Sequence, residues 1–304
     1  MATLEALQNR IQSVTDLMSV VKTMKAMAAV SIRQYEKAVE SAQLYYHTIE
    51  LGFQALSRKS GRLVRLIRER QHTEQTVALI IGSDQGMCGQ FNERAFDLLE
   101  KNREEMEENI GKIELLVIGV KMYSIVADSD FDLLRSFPAP ASVETISNSI
   151  ENILSMLEKL RKERGFINLR LFYNRKSSGS SYQPVSQRLL PITASWLEEL
   201  SDRKWPDKVI PNYRIATDNL LSALVRQYMF SGLYRALAES LAGENASRLA
   251  AMQAAEKNIE EQLDRLTSEY HHERQESITS ELLDMVAGYE ALTGDEDEEE
   301  EDDE

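Results

Sequence analysis

The sequence predicts an α/β fold in which a Rossmann-like domain with a mainly parallel sheet is flanked by two long helices, which pair as an antiparallel coiled coil. Three observations predict it. An apolar stripe at three- and four-residue spacing runs from Leu4 to Leu56, all six prolines fall between Pro138 and Pro211, and a second stripe runs from Leu220 to Leu292. The chain divides accordingly into an N-terminal coiled-coil helix (1–75), an α/β domain (76–210), a C-terminal coiled-coil helix (211–294) and an acidic tail expected to be disordered (295–304).

The first stripe passes through Leu7, Ile11, Val14, Met18, Val21, Ala28, Ile32, Tyr35, Val39, Ala42, Tyr46, Ile49 and Phe53, which is the a/d pattern of a coiled coil. Lys25 is its single polar member, and no Gly or Pro occurs before Gly52 to break the helix. At 1.5 Å per residue the segment would be about 80 Å long, so it needs a partner of similar length.

From Thr76 the period changes. Val77–Ile81 is a short apolar run closed by Gly82, and Ile113–Ile118 is a second one closed by Gly119. Both read as buried strands. A helix over Phe91–Glu107 lies between them, and a short helix over Lys121–Ala127 leads to a third strand near Phe131–Phe137. Ser142 is placed to cap a helix over Val143–Lys162, after which Asn168–Tyr173 and Tyr182–Ile192 read as strands around a flexible SSGSS turn. Strands alternating with helices are the pattern of a layered domain with a mainly parallel sheet.

From about Asp218 the chain is helical again. Leu220, Leu221, Leu224, Val225, Tyr228, Leu233, Leu237 and Leu241 form a broad face, and Leu249, Met252, Ala255, Ile259, Leu263, Leu266 and Tyr270 continue it. The stripe fades over His271–Glu276 and resumes at Ile278. This is the partner that the first helix requires.

The net charge of −15 is concentrated at one end: the ten residues from Asp295 to Glu304 are all acidic and hold −10 of it, leaving about −5 elsewhere. Such a body lacks the basic stripe of a nucleic-acid binder. Cys88 is the only cysteine, which rules out an intramolecular disulfide and a cysteine-based zinc site and fits a reducing compartment. The N-terminal residues carry no secretory pattern, and no run of eighteen apolar residues is present to span a bilayer. Any membrane connection is expected to pass through another protein.

Candidate chemistry is sparse. The turn Gly82-Ser-Asp-Gln-Gly86-Met-Cys-Gly89 follows a strand and opens a helix, where phosphates are cradled, but its glycine spacing matches neither the dinucleotide fingerprint nor the P-loop. A tight strand-to-helix connection is the plainer reading. His271 and His272 are adjacent and point about 100° apart on a helix, so they cannot share a metal. The long stripes lack the Lys/Arg-rich polar face of membrane-surface helices. No catalytic constellation and no cofactor site emerges, so the residues describe a mechanical part or a coiled-coil scaffold carrying an α/β nucleotide-binding domain.

Four motifs sharpen this. Val21-Lys22-Thr23-Met24-Lys25-Ala26-Met27-Ala28-Ala29 resembles the T-K-A-M-K-M-V-A-A signature of the gamma subunit of F-type ATP synthases. Ser83-Asp-Gln-Gly-Met-Cys-Gly-Gln-Phe-Asn92 resembles S-D-R-G-L-C-G-G-L-N, and Glu244-Asn-Ala-Ser-Arg248-Leu-Ala-Ala-Met252 resembles that family's S-E-x-A-A-R-M-x-A-M from its Glu. Tyr270-His-His-Glu-Arg274-Gln275-Glu-Ser-Ile278-Thr279-Ser-Glu281-Leu282 resembles Y-N-x-x-R-Q-x-x-I-T-x-E-L. The order is that of the family, and the first two motifs resemble most the alternate, N-type F-ATPases of bacteria and archaea.

The resemblance implies the rotor shaft of a rotary ATP synthase, peripheral on the cytoplasmic face of the cell membrane. Its two terminal helices would turn inside the ring of alpha and beta subunits, with its α/β domain on the epsilon subunit and the membrane c-ring. Ion flow, of protons or sodium, would drive it; the chain itself would be non-catalytic and bind no cofactor, metal or nucleic acid. Carried over by motif, Lys22, Met24, Lys25 and Arg248 would meet the ring, as would Arg274, Gln275, Thr279 and Glu281 farther along, with Tyr213 and Arg214 on the foot side towards epsilon and the c-ring. The chain departs from the family pattern at Gln85 (usually Arg), at Gln90-Phe91 (usually Gly-Leu), at Arg214, near which an acidic residue is common, and in its acidic tail.

Overall fold

The N-terminal stripe folds as one helix, α1 (Leu4–Lys59), and the C-terminal stripe as another, α6 (Thr217–Glu301). The structure, a computed structural model, describes residues 3–59, 76–104, 106, 113–165, 167–177, 181–209, 211 and 213–301. The stretch 60–75, expected as part of the first helix, lies outside them. Between the two helices run β1 (Thr76–Ile81), α2 (Phe91–Lys101), β2 (Ile113–Ile118), α3 (Val120–Ala127), β3 (Asp132–Phe137), α4 (Val143–Arg164), β4 (Asn168–Lys176), β5 (Tyr182–Leu190) and α5 (Ala194–Asp202).

The strands form one sheet in the order β3-β2-β1-β4-β5. The pairs β1·β2, β1·β4 and β2·β3 are parallel, and only β4·β5 is antiparallel, because the few residues between those two strands are too short a link for a parallel crossover. All six residues of β1 are buried. That is the reason its sequence, TVALII, is apolar without alternation: a central parallel strand is covered on both faces. Strand β5 tolerates Pro184 because it is an edge strand.

One face of the sheet, through Ala78, Ile80, Leu115 and Val117, packs on Ala95 and Leu99 of α2 and on Met122 and Val126 of α3. The other, through Leu79, Ile81, Leu116 and Leu171, packs on Ile146, Ile150 and Ile153 of α4, Phe53 and Leu56 of α1, and Leu233 and Leu237 of α6. The chain forms two compact units. One is Ala26–Ala251, with the sheet and this large core; the other is Met1–Lys25 together with Met252–Glu304. Helices α1 and α6 contribute residues to both.

In the larger unit the two helices are antiparallel. Tyr46 lies against Tyr228 with ring centroids 5.6 Å apart and under the Arg235 guanidinium at 5.2 Å, while Gly52, farther along α1, lies against Leu224, earlier on α6. In the smaller unit Leu7, Met18 and Val21 of α1 are buried, as are Met252, Ile259 and Leu266 of α6 at seven-residue spacing. Lys25, the polar break in the stripe, makes an ion pair with Glu256. A half-buried cation in a coiled-coil seam is tolerated because the opposite helix supplies its counter-charge.

Three expectations are revised. Helix α2 breaks at Asn102, its C-cap, instead of running on unbroken; the described residues 103, 104 and 106 are helical again, with the Met106 N–H donating to the Asn102 carbonyl at 3.1 Å, and Glu107 lies outside the described residues. Helix α5 is unforeseen, although Thr193 is a regular N-cap, its hydroxyl accepting the Trp196 N–H at 3.3 Å. Helix α6 extends to Glu301 instead of giving way to disorder at 295. Glutamate is a good helix former, and extending a formed helix avoids the cost of nucleation.

Candidate functional site

The turn after β1 sits where the strand order reverses around the centre of the sheet, the place at which open α/β sheets bind nucleotides. Here that place is filled by the chain itself. The Asp84 carboxylate accepts the backbone N–H of Val120, the first residue of α3, at 2.9 Å and that of Ala139 at 3.1 Å. It thereby takes the helix-terminal donor position that a phosphate would use. Asn92 holds the turn from the other side: its carboxamide oxygen accepts the Ser83 N–H at 2.9 Å, and its amide donates to the Ser83 hydroxyl at 2.9 Å. The Ser83 hydroxyl in turn donates to the Gln85 carbonyl at 2.8 Å.

The outer side of the turn is closed by α6. The Ser247 hydroxyl donates to the Cys88 carbonyl. Arg248 reaches the Gln85 carbonyl at 3.5 Å and pairs with Glu244, one helical turn back, at 2.6 Å. Gly89 has φ +58°, a left-handed conformation, and a Cβ there would stand 3.5 Å from the Ser247 hydroxyl. Burial pushes the Glu244 carboxyl up, opposed by the Arg248 charge; burial likewise pushes up the Cys88 thiol, opposed by its hydrogen bond with Ser83. A thiol raised in this way is a packing group rather than a nucleophile.

Two turns of helix before Ser247 lies a second buried polar group. The Tyr173 hydroxyl donates to Glu239 at 2.8 Å, and the Arg175 guanidinium donates to the same carboxylate oxygen at 2.7 Å and to the Tyr173 oxygen at 3.0 Å. Arg235 donates to Gln187 of β5 at 3.1 Å and lies 3.8 Å from the other Glu239 oxygen. Burial first, and the Glu239 charge second, push the Tyr173 phenol up to about 12. Between the two groups Gly243 lets α6 pass over the backbone of β4: a Cβ there would be 3.0 Å from the Asn174 carbonyl oxygen.

The residues carried over by motif do not form one site. Lys22 is exposed, Met24 half-buried, and Lys25 is engaged with Glu256. Arg274, Gln275, Thr279 and Glu281 are all exposed, about 27 to 38 Å farther along α6 than Glu256 at 1.5 Å per residue. Tyr213 packs at the edge of the main core and Arg214 is exposed. Arg248 differs from expectation: it is only 8% exposed, and its guanidinium is directed to Glu244 and the 83–89 turn instead of outward. The group around Glu239 was missed altogether. Its one trace in the sequence is a glutamate inside an apolar helical run, five residues ahead of the Glu244 motif.

A family model described as ATP synthase matches residues 3–292. The ATP synthase gamma chain of Chlorobium phaeobacteroides (strain BS1) is 28% identical over 299 residues, covering 97% of this chain and all of the relative, and that of Prosthecochloris aestuarii (strain DSM 271 / SK 413) is 29% identical over 300 residues with the same coverage. A chain from the Euglena gracilis mitochondrial ATP synthase, OSCP/F1/c-ring, shares the fold with a TM-score of 0.62 at 16% identity, over 95% of this chain and 94% of that one. Coiled coil, parallel sheet and motifs thus agree along almost the whole sequence, and the chain belongs to the ATP synthase family, among relatives that are gamma chains.

Proposed function

We propose that this chain is the central-stalk rotor of an F-type ATP synthase, coupling ion-driven rotation of a c-ring to ATP synthesis or hydrolysis in a hexamer of alpha and beta subunits. The observation that carries the reading is the match over residues 3–292 to a family whose gamma chains align end to end with this one. The chain contributes no catalytic residue of its own. The crevice where a nucleotide would sit is taken by Asp84, Ser247 and Arg248, which leaves mechanical coupling as its role.

Contacts with the ring fall at two levels. Lys22, Met24 and Lys25 serve the lower one, and Arg274, Gln275, Thr279 and Glu281 the upper one, whose exposure suits a surrounding partner. The apolar side chains of Ile278, Leu282 and Met285 are 49%, 53% and 64% exposed, an arrangement that calls for cover from another subunit. Tyr213 and Arg214 face the epsilon subunit and the c-ring. Among the described residues no helix is long and apolar enough to cross a membrane, so attachment to the cytoplasmic face of the membrane runs through the c-ring.

Co-expression with the alpha and beta subunits tests this. The expected result is a complex that contains this chain and hydrolyses ATP, while the chain alone hydrolyses none. Failure to recover such a complex would sink the reading.

A further inference from the structure

We infer that the two buried polar groups on α6, around Glu239 and around Ser247, form the joint through which torque passes between the α/β domain and the C-terminal helix. The inference rests on the rotor reading and adds to it the residues that transmit load inside this chain.

The physical case begins with what apolar packing cannot do. Hydrophobic burial is non-directional, so a helix lying on a sheet through leucines and alanines alone resists separation far more than it resists rolling or sliding. Hydrogen bonds to charged groups are short and directional, and they fix an azimuth. Buried ion pairs add little net stability over apolar residues of the same shape; their best-attested use is to set registry. Helix α6 carries Glu239, 7% exposed, and Glu244, 7% exposed, inside a stretch that is otherwise almost wholly apolar or small. Glu239 is answered from the sheet by Arg175, whereas Glu244 pairs with Arg248 one turn along α6 itself and so holds that guanidinium towards the Gln85 carbonyl, 3.5 Å away.

The placement matters as much as the chemistry. Glu239 is bonded to Tyr173 and Arg175 of β4, and Ser247 to the turn that follows β1. Strands β1 and β4 are neighbours at the centre of the sheet. The eight residues from Glu239 to Ser247 span about 12 Å of helix, so the two anchors resist tilt as well as roll. Gly243 between them brings the helix onto the β4 backbone, which keeps both anchors short.

The experiment uses the assembled, membrane-reconstituted complex with Glu239→Ala and, separately, the milder Tyr173→Phe and Ser247→Ala. ATP hydrolysis by the detached catalytic complex, in which the α/β domain carries no load, is expected to stay within about twofold of the parent. Ion-driven ATP synthesis is expected to fall by roughly tenfold or more for Glu239→Ala, which removes two hydrogen bonds to one carboxylate when the loss of one already shifts an equilibrium by about that ratio, and less for the other two. The angular fluctuation of a probe on the α/β domain should broaden at each dwell, which lower assembly alone would not cause. Unchanged synthesis and fluctuation in all three variants would overturn the joint and leave the rotor reading standing. A parallel loss of synthesis, hydrolysis and assembled subunit would also overturn it, as the mark of a purely structural role. A parent chain that never assembles would instead remove the rotor reading itself.

Discussion

Two stretches of the same helix make opposite use of the same pattern. Between Leu233 and Leu241, α6 buries Leu233, Leu237 and Leu241 against the sheet domain. Between Ile278 and Tyr289 it carries Ile278, Leu282, Met285 and Tyr289 at the same three- and four-residue spacing, and all are about half exposed or more. The spacing is a statement about one face of a helix and does not say whose surface will cover it. The first stretch finds its partner inside the chain; the second is consistent with a partner outside it. A subunit that turns within a ring needs both, one end packed on its own domain and the other presenting exposed apolar side chains.

The contrast can be broken most strongly at Leu233, which is fully buried. Leu233→Ala should cost the isolated chain about 2–5 kcal/mol of stability, read as a fall in the denaturant midpoint. Leu282→Ala should change that midpoint by no more than about 0.5 kcal/mol and instead weaken recovery of the chain with alpha and beta subunits. Equal stability losses at the two sites would erase the distinction.

A smaller effect is expected from Tyr173. Burial and the Glu239 charge push its phenol up to about 12, above the ordinary value of 10. Between those two pH values the unfolded chain has released the proton and the folded chain still holds it, so stability present below pH 10 is lost as pH rises towards 12. Stability across that window should fall less steeply for Tyr173→Phe than for the parent, by up to about 3 kcal/mol in total. A small effect is also expected at Lys25. Its pair with Glu256 is partly exposed, and Lys25→Ala should cost at most about 1 kcal/mol, less at high salt.

Much of this architecture is legible in the residues. The heptads of α1 follow from Leu7, Met18, Val21, Ala28 and Ile32, all of them buried. The parallel strands follow from TVALII and IELLVI, because a strand covered on both faces has no polar alternation to show. The joint on α6 is another matter. The sequence motifs at 83–92 and 244–252 are each visible, yet Cys88 and Ser247 are 159 residues apart and nothing local says that they meet. Glu239 and Arg175 look like ordinary solvated charges until β4 and α6 are laid together. The motif likewise places Arg248 among the ring contacts and leaves open which way its side chain points, and here the guanidinium is held by Glu244. The departures from the family pattern at Gln85 and Gln90 have a partial account here, since it is the backbone carbonyl of Gln85, common to every side chain, that receives both Ser83 and Arg248.

A rotor turns as one part within its catalytic ring, and that rotation can be watched. A bead attached through Tyr123→Cys, an exposed position on α3, would be followed in a surface-fixed complex of alpha, beta and this chain during ATP hydrolysis. Stepwise rotation in one direction that stops when ATP is exhausted is the predicted result. Sustained hydrolysis by that complex with the bead stationary would contradict the account.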